Sequence, residues 1–113
     1  DAEAHEFAGP EGVWFVQMAE KLYAPWQGRH VPDSYKFAVS AIQQERTGKT
    51  FRDHMESGAF AMGTSATVIK VLEKYQEAGV DQILCFMQMG NLAHARIMKS
   101  IALFGRHVIP AFA

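Results

Sequence analysis

The chain has 113 residues, of which 49% are hydrophobic, and its 11 Lys and Arg against 12 Asp and Glu give a formal net charge of −1. This length supports at most one domain with a modest core, and the balanced charge argues against a nucleic-acid or anionic-membrane binder. No apolar run reaches the roughly 18 residues of a membrane span, the first residues do not resemble a signal peptide, and a single cysteine favours the cytoplasm.

The first half of the chain predicts helices. An apolar helical spacing that follows Pro10 indicates the first helix. Asp33 is a suitable N-cap for the second, and Thr50 and Asp53 have the spacing of a capping box that starts a short third helix. The segment 1–57 is therefore expected to be helical.

The second half predicts a strand, a helix, a second strand and a last helix. Five consecutive apolar residues, Ile83 to Met87, are typical of a strand covered on both faces of a parallel sheet, where Cys85 would be a small buried hydrophobe. A right-handed crossover would place the two strands side by side and parallel. The expected strands are 59–63 and 81–88, and the expected helices are 65–78 and 91–106.

The motifs from AFAMGTSATVIKVLEKYQEAGVDQILCFMQMG through SIALFGRHVIPAF resemble the C-terminal end of the bacterial luciferase-like, flavin-dependent monooxygenases. In that family a strand ending in Gly-Thr-Pro, a helix, Ala-Gly-Val-Asp-Gln, the last barrel strand and a helix with a Pro-Ala-Phe-like tail follow in the same order. The match covers residues 58–112, and Ser65 stands where the family usually has proline.

The resemblance implies an α/β fold, namely the C-terminal part of a (β/α)₈ TIM-type barrel. Residues 58–113 would supply its last two βα units, and 1–57 would be the helical segment before them. Because a whole barrel needs about 250 residues, the missing N-terminal barrel portion is one expected partner. The chain, which starts at Asp1, would then be a fragment, although a natural short protein remains an alternative.

The implied function is that of an oxidoreductase which uses reduced FMN, or a deazaflavin, and O₂ on a small organic substrate. A flavin reductase would be a possible partner. Most flavin-binding residues of the family lie on earlier strands, so the isolated chain is expected to be inactive. The alternative is a non-catalytic, self-associating structural or interaction module, and a homo-oligomer is expected because two parallel strands leave unpaired edges.

The cofactor-binding positions implied by the barrel are Gly63, Thr64, Gln88 and Gly90, which follow the two expected strands. Thr64 and the N–H groups of the helix behind it could receive a phosphate, or Thr64 could be an N-cap alone. Gln88 could bind a ring edge of flavin or satisfy the neighbouring backbone. No catalytic residue is assigned.

Two further expectations concern metals and aromatic residues. The five histidines are scattered and form no motif such as H-E-x-x-H, so no metal is predicted. Of Trp14 and Trp26, at least one is expected to anchor an interface, where large aromatic side chains contribute most.

Overall fold

The computed structural model describes residues 1–23, 29–45 and 49–113, and every regular element in these ranges is helical. A π turn and a 3₁₀ turn prolong the last helix. The helices are α1 (Ala2–Tyr23), α2 (Asp33–Glu45), α3 (Phe51–Glu56), α4 (Ser65–Glu77) and α5 (His94–Leu103), followed by the turns Phe104–Val108 and Ile109–Ala111.

The capping box at α3 is confirmed. The Thr50 N–H donates to Asp53 Oδ2 over 2.6 Å, and the Asp53 N–H donates to Thr50 Oγ1 over 3.3 Å. Two hydrogen bonds hold the pKa of Asp53 below its usual value, because both favour the charged carboxylate. The bond from the Thr50 backbone N–H has the larger effect, and the bond from the Thr50 hydroxyl has the smaller one. Local sequence alone therefore determines where α3 begins.

The helix expected at 65–78 is also confirmed, as α4. Thr64 is its N-cap, with Oγ1 accepting from the Thr67 N–H over 3.3 Å. Gly79 follows the last turn with φ of +83°, a left-handed conformation that ends helices at little cost only in glycine.

The first and last helices differ from expectation at their ends. Helix α1 begins at Ala2, so Pro10 lies inside it and not in its first turn. Helix α5 begins at His94 with Ala93 at the N-cap, three residues after the expected start at 91. Beyond Leu103 the chain continues as the π turn and then as the 3₁₀ turn that contains Pro110.

The predicted α/β fold is wrong, because no strand occurs in residues 1–23, 29–45 or 49–113. The two expected strands, residues 59–63 and 81–88, do not pair with each other. The Phe60 N–H donates instead to the His54 carbonyl over 3.0 Å, which joins the first apolar run to α3. A two-stranded parallel pair would gain only one ladder of hydrogen bonds, and so few strands are marginal without further partners.

The core is small. Its apolar members come from α2, α4, the stretch before α4 and the π turn, and the polar His54 ring is also buried, 4.7 Å from the Phe60 ring. The buried hydrophobic residues are Val39, Phe60, Val71, Leu72 and Val108.

The molecule exposes more surface than a compact chain of its mass. Its accessible surface is 8129 Å², whereas a compact 12.6 kDa monomer exposes about 6,200 Å². The radius of gyration of 15.5 Å likewise exceeds the roughly 13 Å expected for this length. About 1,900 Å² of additional surface is thus in contact with solvent.

Part of this surface is the apolar stripe of α5. Met98 is 50% exposed, Ile101 is exposed as well, and no residue of the helix is buried. The apolar side of α5 therefore faces solvent.

Candidate functional site

Helix α1 lies across both loops that carry the predicted cofactor-binding positions. The residue before it, Asp1, contacts the loop with Gly63 and Thr64, and Glu11 contacts the loop with Gly90. Ten residues of helix separate the two carboxylates by about 15 Å along the axis. The structure therefore places the four predicted positions in two separate groups.

At the first loop, a carboxylate binds the start of α4. Asp1 Oδ1 accepts from the Thr64 N–H over 2.7 Å and from the Thr67 hydroxyl over 2.8 Å. His5 Nε2 lies 3.1 Å from the Met62 carbonyl and strengthens the same contact. Thr64 is thus the N-cap of α4, and its backbone N–H is bound by an internal carboxylate.

At the second loop, Glu11 Oε2 accepts from the Asn91 N–H over 2.8 Å. Gly90 has φ of +53°, and a Cβ at this position would collide with the Glu11 carboxylate. The turn needs glycine both for its left-handed backbone and for this close approach.

The contact of Gln88 with a flavin ring stays a prediction. Gln88 lies beside Gly90, and its side chain makes no hydrogen bond among the described residues, so it does not satisfy the neighbouring backbone. It lines an open groove of about 460 Å³ between α1 and residues 85–90. The Phe15 ring forms the α1 wall, with its centroid 5.0 Å from that of Phe86. The groove is wide open to solvent, which leaves its apolar walls available to another molecule.

The stretch that leads to this groove, residues 81–89, is called here the open segment. It contains no helix, turn or bend. The Val80 N–H before it donates to the Tyr75 carbonyl, and the Met89 carbonyl accepts from the Leu92 N–H. In the part of the chain that the structure describes, no other backbone N–H or carbonyl of residues 81–89 has a protein partner.

The side chains of the open segment are exposed as well. Leu84 is 91% exposed and Phe86 is 66% exposed, and Ile83 also faces solvent in part. The prediction that this run is covered on both faces is wrong, and so is the predicted burial of Cys85, which is exposed. The reason is that no described strand pairs with the segment, and the contact of Phe15 on α1 with Phe86 covers only a small part of it.

A third contact of α1 joins it to α5. The Arg96 guanidinium stands 3.4 Å above the Phe7 ring and donates to Glu3 Oε1 over 3.0 Å, and Lys99 lies 3.5 Å from the same oxygen. Two neighbouring cations lower the pKa of Glu3. The positive charge of Lys99 has the larger effect, and the hydrogen bond from Arg96 has the next largest. The contact is exposed, so solvent and salt weaken it.

This contact predicts a pH-dependent contribution to stability. Since the pKa of Glu3 is lowered in the folded chain, the contribution is present above the ordinary value of 4.5 and is lost as the pH falls through the folded value. Glu3→Gln should therefore reduce the urea midpoint slightly at pH 7, and by progressively less as the pH falls through the folded value. Glu73→Gln, at a position without an ion pair among the described residues, is the control; an equal loss for both variants would contradict the prediction.

Sequence reasoning missed the role of the α1 carboxylates. Asp1 and Thr64 are 63 residues apart, and Glu11 and Asn91 are 80 apart, so no local spacing connects them. The burial of His54 next to Phe60 also had no sequence signal. Of the aromatic anchors, Trp14 is 46% exposed and packs near Gly90, whereas Trp26 lies outside the described residues; their role at an interface stays a prediction.

No group of three possible metal ligands lies together within residues 1–23, 29–45 and 49–113. Among the helices that the structure describes, none has the length and apolar character needed to cross a membrane. Comparison with protein-family models, curated proteins and solved structures found no match to this chain.

Proposed function

We propose that the chain is a non-catalytic interaction module that associates with a second copy of itself through the open segment. The observation that carries the proposal is the combination of unpaired backbone and exposed apolar side chains over residues 81–89. Such a segment can serve as a template for strand addition, because its unpaired N–H and carbonyl groups can form hydrogen bonds with the backbone of another chain.

Association would change the surroundings of both kinds of group. Leu84 and Phe86 would leave water, which contributes about 25 cal/mol for each Å² of apolar area that is buried. The backbone groups would exchange water for inter-chain hydrogen bonds, with a small net gain for each. The apolar gain therefore provides most of the driving force, and the hydrogen bonds provide direction.

The experiment is a measurement of mass in solution. Light scattering at micromolar concentration should give at least twice the 12.6 kDa of one chain. A mass of one chain, together with a single cooperative thermal transition, would reject self-association, since a folded monomer would then tolerate the open segment in water.

The proposal includes a reducing, cytoplasmic location. A single, exposed cysteine supports it, because exposed free thiols are uncommon in oxidising compartments.

The flavin role implied by the resemblance stays a proposal for an assembly larger than this chain, and it rests on the sequence motifs. The residues present do not fit FMN by themselves. The Thr64 N–H that would hold the phosphate is bound to the Asp1 carboxylate, and like charge would oppose a phosphate there. Gln88 and Gly90, expected to meet the ring, belong to a separate group along α1.

We therefore expect the isolated chain to bind FMN no more tightly than roughly millimolar, because few contacts must offset an ordering cost of several kcal/mol. The measurement is a titration followed by flavin fluorescence. Glu11→Gln, which removes the charge beside Gly90, serves as a comparison and should bind equally poorly. Saturation of the native chain at low micromolar FMN would show a complete local site and would overturn the expectation.

A further inference from the structure

We infer that two copies of the chain pair their open segments antiparallel, in the register that places Cys85 opposite Cys85. This inference rests on the proposed self-association and adds its geometry. Three observations carry it: the segment's sequence, its unpaired backbone and the amount of exposed surface.

Within the open segment, residues 82–88, QILCFMQ, have a polarity pattern that is symmetric about Cys85. Gln82 and Gln88 each lie three residues from Cys85, and the residues between them are apolar. In the Cys85-centred register Gln82 faces Gln88, Ile83 faces Met87 and Leu84 faces Phe86. Amides thus face amides across the pair, and apolar side chains face apolar side chains.

Other antiparallel registers lose this match. If the centre of the register moves by one residue to Phe86, then Phe86 faces Phe86 of the other copy and Gln88 faces Leu84. The opposite shift sets Gln82 against Phe86. In each case a polar amide would be placed against a large apolar side chain without its hydrogen-bond partner, which is costly.

Charge does not oppose the pairing. Asp81 is the single charged residue of the open segment, and in the Cys85-centred register it faces Met89 at the rim, where its carboxylate stays in water. The two aspartates lie at opposite ends of the paired segment, so they do not repel each other closely.

Symmetry favours antiparallel over parallel pairing. A two-fold axis perpendicular to the strands reverses their direction and gives a closed dimer in which both copies use the same surface. Parallel, in-register pairing would join unlike edges and leave an edge free for a third copy, as in stacked fibrils. The antiparallel dimer uses the same edge of both segments. Because the polarity pattern of residues 82–88 is symmetric about Cys85, this edge is complementary to itself.

The chain has exposed apolar surface to bury in a dimer. It exposes about 1,900 Å² more than a compact monomer of its mass, and part of that surface lies on the open segment, where Leu84 is 91% and Phe86 is 66% exposed. Each partner of a standard interface loses about 800 Å², so the dimer would bury surface beside the paired segments as well, such as the groove with Phe15.

The test uses the native cysteine as a probe. Facing residues in an antiparallel pair have Cα atoms about 4.5 to 5.5 Å apart, within the 4.4 to 6.8 Å range of disulfides. Mild oxidation with diamide should take two electrons and two protons from the two Cys85 thiols and give a covalent dimer. It should form at least ten-fold faster than in Cys85→Ser/Ser34→Cys, whose thiol lies at an exposed site on α2.

The register is tested with two further single-thiol variants, Cys85→Ser/Gln82→Cys and Cys85→Ser/Gln88→Cys. Alone, each should cross-link slowly, because its two thiols would lie about 20 Å apart along the pair; mixed, they should cross-link rapidly with each other. Rapid cross-linking of the Gln82→Cys variant with itself would show parallel pairing and overturn the inference. A dimer whose Cys85 thiols react no faster than the thiol of the α2 control would also overturn the inferred register, but it would leave self-association intact. A monomeric mass in solution would reject both the register and self-association.

Discussion

Replacing Phe60 with alanine should lower the free energy of unfolding by about 3 kcal/mol or more. Phe60 is 8% exposed, and its ring lies 4.7 Å from the His54 ring and 6.0 Å from the Phe51 ring. It also packs against Gly12 of α1, so it joins α1 to α3. In a core this small, the cavity left by the ring has little around it that can collapse to fill it.

The measurement is urea unfolding followed by circular dichroism, and the control is Phe37→Ala. Phe37 lies on α2 and is 82% exposed, so the same chemical change should alter the free energy of unfolding by less than about 0.5 kcal/mol. Equal effects of the two substitutions would mean that Phe60 is not in a packed core. If Phe60→Ala has no folded baseline, Phe60→Leu gives a smaller change that can be measured.

Replacing Leu84 with aspartate should weaken self-association at least 100-fold. Leu84 is 91% exposed in the single chain, so the change costs little in the folded monomer. In the proposed dimer it would place a carboxylate against Phe86 of the other copy, and an unpaired charge in an apolar contact is strongly unfavourable. Light scattering should then give the mass of one chain at concentrations where the native protein associates.

Leu22→Asp is the matched control for this effect. Leu22 is 69% exposed on α1, away from the open segment in sequence, and the same substitution there should leave the mass in solution unchanged. Loss of association in both variants would point to an interface on α1, and retention in both would remove the open segment from the interface.

The helical parts of the chain were predictable where a local signal determines them. Thr50 and Asp53 satisfy each other's backbone and side chain within four residues, and Thr64 caps α4 in the same way. Such contacts need no other part of the fold. The N-cap positions of these two helices therefore followed from the sequence, whereas the start of α5 at His94 did not, because its cap Ala93 makes no side-chain hydrogen bond.

The strands could not be predicted in the same way, because a strand exists only when another strand pairs with it. Residues 81–89 have the apolar composition of a buried strand, but nothing among the described residues pairs with them. The apolar run indicates that the segment would be stable as a strand if another strand paired with it. In the single chain no such strand is present among the described residues. The expectation that Gly63 and Gly90 share one sheet edge fails with the strands, since Gly63 lies beside Asp1, just before α1, and Gly90 lies beside Glu11, near the middle of α1.

The contacts of α1 also bear on the order in which the chain folds. Its bonds to Thr64, Asn91 and Arg96 span 63, 80 and 93 residues, and each such loop must lose chain entropy before its contact gains anything. The contacts of α3 with Phe60, and those within α4, close over a few residues. We therefore expect α3 and α4 to form early and α1 to dock last, because its contacts with Asn91 and Arg96 need residues that are synthesised after both of those helices.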